Sequence, residues 1–160
     1  MSIVTVENKF PDSLLNFFVS DFVIDIDDAT TVFNKMNKYT MYNPVIKINL
    51  INLEEKGKLV SSFTLYNKEL FNEYDEFTLI DKLEIDNCQV LLLSENNLKD
   101  STLDDWLEKC ISIKELYNIE PDGKMCITSG FGPGVYKLMG IKSGEEVIAL
   151  RMEFIKEKID

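Results

Sequence analysis

The sequence predicts an α+β domain: a mainly antiparallel β-sheet of six or more strands with two or three helices packed against it. Three stretches of the 160-residue chain carry that prediction. Residues 45–66 read as a hairpin, with strand-forming Val, Ile and Leu on both sides of a Glu55-Lys56-Gly57-Lys58 turn. Residues 124–155 read as three strands joined by two glycine-bearing turns. Between these stretches, STLDDWLEKCISI sets Leu103, Trp106, Leu107, Cys110 and Ile111 at helical spacing, an apolar stripe suited to covering a sheet.

Taken in order, Ile3, Val4 and Val6 form a short opening strand that ends in polar Glu7-Asn8-Lys9. Pro11-Asp12-Ser13 supplies helix-start chemistry, and Leu14, Leu15 and Phe18 then fall on one face of a short helix. Val32, Phe33 and Met36 repeat helical spacing over 29–36, with Asp27 or Asp28 as N-cap. Pro44 closes that segment, because the residue before a proline is pushed out of the α region.

In the hairpin Ile46, Ile48 and Leu50 share a face, whereas Ile51 and Leu53 fall on the other. That change of face requires a bulge or a strand buried on both sides. An acidic surface connection follows over 67–76. Phe77 to Ile80 reads as a strand and 82–93 as a further pair turning at Asp86-Asn87. The Val90-Leu91-Leu92-Leu93 run has no polar face, as expected of a central strand covered on both sides. Cys88 beside it reads as a buried small apolar residue. Ser101 and Thr102 open the best helix, Trp106 faces the sheet with Cys110 in the core, and Pro121-Asp122-Gly123 is a turn.

For the last hairpin, a Ser143-Gly144 loop sets Lys142 opposite Glu145, Met139 opposite Ile148, Tyr136 opposite Arg151 and Val135 opposite Met152. Val135, Met139, Ile148, Leu150, Met152 and Phe154 then share the apolar side, and Tyr136 lies against Arg151 on the other. Upstream, Gly130, Gly132 and Gly134 punctuate 129–134. A phosphate-cradling loop normally precedes a helix, and here a strand follows, so these glycines are read as a structural corner at a sheet edge.

Ser129, Gly130, Phe131, Gly132, Gly134, Tyr136, Gly144, Glu153 and Phe154 together resemble the C-terminal hairpin of a bacterial protein family of unassigned function. Its pattern is Ser-Gly-aromatic-Gly-Asp-Gly-x-Tyr. Pro133 stands where that family usually carries Asp, which implies that any role of that Asp is lost here. The resemblance covers roughly the last fifth of the chain and bears on local fold.

Composition narrows the chemistry. One domain of this length buries roughly two thirds of the surface its unfolded chain exposes. No internal repeat or linker divides it, and 28 % charged with 45 % hydrophobic residues is ordinary globular usage. The chain contains no histidine, so Ser-His and Cys-His pairs and imidazole ligands are excluded. Cys88, Cys110 and Cys126 show neither a CxxC spacing nor an even count, consistent with a reducing cytoplasm and with no zinc site. There is no cofactor signature, no basic leader and no window near the about 20 apolar residues that span a bilayer, so a soluble, unprocessed protein is expected.

Acidic residues number 28 against 17 basic ones, a net charge of −11, and Arg151 is the only arginine. Such a surface repels nucleic acid and attracts basic proteins. In size, charge and lack of catalytic side chains the chain also resembles toxin immunity proteins. The expected function is a non-enzymatic acidic inhibitor of a basic toxin or enzyme domain, with Tyr66, Glu69, Glu73, Tyr74, Asp75 and Glu76 as its contact residues. Two alternatives are a regulator that mimics nucleic acid and a hydrolase holding a metal on Asp25, Asp27 and Asp28, although helix capping is the simpler use of those carboxylates.

Overall fold

The computed structural model describes residues 3–9, 14–55, 57–86, 88–111, 116–128 and 132–154. The chain forms β1 (Ile3–Lys9), β2 (Leu14–Asp21), α1 (Ile26–Lys35), β3 (Tyr39–Tyr42), β4 (Pro44–Leu53) and β5 (Gly57–Asn67). It continues with β6 (Thr78–Ile85), β7 (Gln89–Ser94), a 3₁₀ turn at Glu95–Lys99, α2 (Leu103–Ile111), β8 (Tyr117–Glu120), β9 (Lys124–Thr128), β10 (Gly134–Ser143) and β11 (Glu146–Glu153). The fold is α+β and antiparallel, as expected, but the strands divide between two sheets. One has the order β1-β4-β5-β11-β10-β6 and the other β3-β2-β7-β9-β8.

The two sheets face each other across the main core, to which Phe17 and Leu92 contribute from one side and Phe63, Leu138 and Met152 from the other. The far side of the five-stranded sheet is covered by helices, where Phe18, Leu91 and Leu93 meet Phe33, Leu103, Trp106 and Leu107. Three layers result, and the five-stranded sheet is the middle one. This explains why Val90 to Leu93 are buried on both faces, as the apolar run requires. Trp106 is part of that covering layer.

The same burial corrects the reading of 14–21 as a helix. LLNFFVSD is a strand next to β7, and its apolar side chains feed both cores. A run apolar on both faces satisfies helical spacing by accident. Pro11, Asp12 and Ser13, like Lys56, Asn87, Ser129, Gly130 and Phe131, lie outside the described residues.

Helix α1 starts earlier than expected, and its N-cap is Asp25, whose Oδ1 accepts from the Asp28 N–H at 2.8 Å. A second carboxylate, Asp104 of α2, accepts from the Ile26 N–H at 2.8 Å. Both oxygens occupy N–H groups that a helix start leaves without partners.

Residues 78–93 do not form a hairpin. β6 is an edge strand of one sheet and β7 the middle strand of the other, so the chain crosses between layers from Ile85 to Gln89. Cys88 sits on that crossing at φ 58 and is half-buried, rather than a core residue, because the turn carries it out of both sheets. Cys110 of α2 and Cys126 of β9 are buried side by side between that helix and the five-stranded sheet. Their contact and burial push the Cys126 thiol up, which keeps it protonated as an apolar filler.

The β4–β5 hairpin matches expectation, including a bulge, which falls between Asn49 and Leu50. The last hairpin has a different register. Ser143 pairs with Glu146 around Gly144 and Glu145, and a bulge between Ile141 and Lys142 sets Leu138 opposite Met152 and Met139 opposite Arg151. Leu150, Met152 and Phe154 still face the core, but on β10 the inward residues are Tyr136 and Leu138, while Val135 is 54 % exposed. Tyr136 therefore does not meet Arg151. Its ring packs edge-on against Phe154 at 5.4 Å, and its hydroxyl donates to the Gly132 carbonyl at 2.7 Å. That bond lies just before β10, where the chain has passed from the five-stranded sheet to the six-stranded one and Gly132 adopts φ +80.

One core group gives the fold a pH dependence. Tyr39 packs against Phe17 at 5.8 Å, and its buried hydroxyl has no hydrogen-bond partner among the described residues. Burial, and then the Asp81 charge, push it up to about 12, with a smaller opposing pull from the nearby Asn37 amide. An unfolded tyrosine titrates near about 10. Below that pH both states hold the proton and Tyr39 costs nothing. Between about pH 10 and about pH 12 only the unfolded state ionises, so stability falls by roughly 2–3 kcal/mol. Tyr39→Phe is expected to remove this share of the alkaline loss, about half of which, roughly 1–1.5 kcal/mol, develops between about pH 9 and about pH 11 and is read by urea unfolding at those two values.

Candidate functional site

Alternation along β4, β5 and β11 sends Ile48, Phe63, Leu65 and Met152 inward and leaves Lys47, Thr64, Tyr66 and Arg151 on the outer face of the six-stranded sheet. Register then aligns three of these: Lys47 pairs with Thr64, and Thr64 with Arg151. A cation, a hydroxyl and a second cation thus lie side by side on adjacent strands.

Topology puts a roof over this row. β5 and β6 follow one another in the chain, yet β11 and β10 lie between them in the sheet. At about 4.8 Å per strand, the 68–77 connection has to cover about 14 Å. It starts at buried Asn67, whose Oδ1 accepts from the N–H groups of Glu69 (3.0 Å) and Leu70 (3.3 Å). Further along, Asn72 Oδ1 accepts from Tyr74 N–H at 3.0 Å and Asp75 Oδ2 from Asn72 N–H at 3.3 Å. Short polar side chains thereby fix the loop locally, without a regular element.

Phe71 and Phe77 turn back onto the sheet. Phe71 meets Tyr66 at 5.1 Å and Phe77 at 6.0 Å between ring centroids. The Arg151 guanidinium stacks 4.2 Å from the Phe77 centroid, and its Nε donates to Thr64 Oγ1 at 3.0 Å. Beneath the loop is an open cleft of about 370 Å³, lined by Lys47, Thr64, Tyr66, Phe71, Glu73 and Arg151.

The expected contact residues are therefore brought together. Glu69, Glu73, Tyr74, Asp75 and Glu76 lie on one short loop and are exposed, Tyr74 at 92 %, and Glu73 also borders the cleft. Tyr66 is half-buried on the strand beneath them and lines the cleft. Arg151 belongs to this place rather than to the glycine-rich corner, because β11 inserts beside β5. Sequence reasoning did not single out Lys47, Thr64, Phe71 or Phe77. The β4–β5 hairpin register would have set Lys47 beside Thr64, but the stacking on Phe77 depends on a pairing between distant strands.

The three aspartates of the metal alternative lie at the start of α1, with Asp25 engaged as the cap and Asp27 and Asp28 exposed in the first turn. Among the described residues, no group of three or more Cys, Asp or Glu side chains is placed to hold a metal ion. No described helix is long and apolar enough to cross a membrane. No family model, curated protein or solved structure matches the chain.

Proposed function

We propose that this chain is a non-enzymatic acidic binding protein of the immunity type, acting in the cytoplasm by covering the active site or substrate groove of a basic toxin or enzyme domain. One observation carries the reading: four exposed carboxylates, on Glu69, Glu73, Asp75 and Glu76, surround a fully projecting Tyr74 on a loop already held by its own hydrogen bonds. A preformed loop loses less conformational freedom on docking than a slack one. Tyrosine is also among the side chains that most often anchor an interface. The net charge of −11 supports the reading by speeding encounter with a basic surface, a steering effect that salt weakens.

The test begins with affinity capture from the source cells, using the chain as bait, followed by co-expression of the captured basic protein to score protection from its activity. Tyr74→Ala is expected to weaken the complex by about 2 kcal/mol or more, chiefly through faster dissociation. Replacing Glu73, Asp75 and Glu76 by Gln is expected to slow association and flatten its salt dependence. A captured partner whose binding ignores both changes removes the loop from the mechanism, and absence of protection removes the inhibitor reading.

A further inference from the structure

We propose that the cleft beneath the 68–77 loop is a separate binding site for a small organic anion, in which one carboxylate or phosphate group is joined to a flat apolar body. The inference stands on contacts inside the cleft and not on the protein-partner reading above, which uses the exposed carboxylates and Tyr74 of the same loop; Tyr66 and Glu73 belong to both surfaces.

The anion-binding end is Arg151. Two contacts orient its guanidinium: the face lies on Phe77 at 4.2 Å, and Nε is held by Thr64 Oγ1 at 3.0 Å. Thr64 is 2 % exposed, so this hydroxyl is a built-in support rather than a surface accident. The orientation leaves the two Nη groups as a planar fork, the geometry that pairs with carboxylate or phosphate oxygens through two parallel hydrogen bonds. Among the residues whose side chains are described, no ion pair is formed by Arg151 or Lys47; Glu7 stands opposite Lys47 in the β1–β4 register, on the side away from Thr64 and Arg151. Lys47 approaches from two strands away, about 10 Å across the sheet, with Thr64 between them.

The lining also decides the size and charge of the ligand. A volume of about 370 Å³ is at the small end of the range for small-molecule sites, roughly 300–1,000 Å³. Two cations and one carboxylate, Glu73, line the cleft, so it suits a single anionic group and disfavours a polyanion such as nucleic acid. Tyr66 and Phe71 form the remaining wall, 5.1 Å apart and tilted by 41°. Those rings add favourable contact area for a flat apolar body, which inorganic anions lack.

The site is tested on the full chain by titrating benzoate, phenyl phosphate and inorganic phosphate while following amide and arginine side-chain resonances. Benzoate or phenyl phosphate is expected to bind saturably with Kd near or below about 1 mM. Arg151→Gln is expected to weaken that binding tenfold or more. Lys47→Gln provides a second measurement that leaves the Thr64–Arg151–Phe77 stack in place, and it is expected to weaken binding severalfold. Unchanged thermal unfolding of Lys47→Gln shows that its loss of binding is local. Three results overturn the proposal: no saturable binding of either aromatic anion, saturable binding that neither substitution weakens, or inorganic phosphate binding as tightly as phenyl phosphate.

Discussion

Leu138→Ala is expected to cost about 2–5 kcal/mol of folding stability, while Val135→Ala, three residues earlier on the same strand, changes it by no more than about 0.5 kcal/mol. Leu138 is fully buried between the sheets and Val135 is 54 % exposed on the outer face. The contrast reads the register of the last hairpin directly, since a tight Ser143-Gly144 loop would give Val135 the core position. Urea unfolding at constant m-value measures both changes on one scale. Equal costs, or a larger one for Val135, would place the β10 bulge elsewhere.

Gly123→Ala is expected to cost about 2–4 kcal/mol, because two penalties add there. Gly123 has φ +93, and a Cβ on it would lie 2.8 Å from Leu15 Cδ1 and 2.9 Å from both Cβ and Oγ of Ser94. The neighbours cannot step aside cheaply. Ser94 N–H donates to the Gly123 carbonyl at 2.8 Å, and Asn97 Nδ2 reaches both Ser94 Oγ at 2.8 Å and the Asp122 carbonyl at 3.2 Å. Gly144→Ala is the control: φ is +64, but nothing lies within 4 Å of the added carbon, so only the backbone term of about 1–2 kcal/mol applies. The difference between the two variants isolates the close packing of the β8–β9 turn.

What the sequence disclosed follows the range of each interaction. The α2 stripe was legible because Leu103, Trp106, Leu107 and Cys110 repeat on one helical face, and all four are buried. The β4–β5 hairpin was legible because a polar turn separates two strand-forming runs. Residues 14–21 were not, since a strand covered on both sides loses the alternation that identifies it. Division into two sheets was not legible either: nothing local in Ile85 or Gln89 states that the first belongs to one sheet and the second to the other.

The candidate site divides in the same way. Its acidic rim stood out as composition, and the loop residues were named from it. Its floor did not, because Arg151 reaches Thr64 only through a pairing that joins residues 87 positions apart. The glycine-rich stretch reads as a structural corner, and the cleft with polar and aromatic lining lies under the acidic connection.

The insertion of β11 and β10 between β5 and β6 has a consequence for how the protein is made. Until the ribosome has released residues 134–153, β5 and β6 have no neighbours on their facing edges, and the centre of the six-stranded sheet is missing. Non-local strand pairing of this kind folds slowly, and open strand edges invite association with other chains. In an emerging chain β6 therefore has no strand partner, and β5 pairs with β4 alone, until the last hairpin is complete. The cleft beneath the 68–77 connection comes into being only when that hairpin is in place, so it reports completion of the fold.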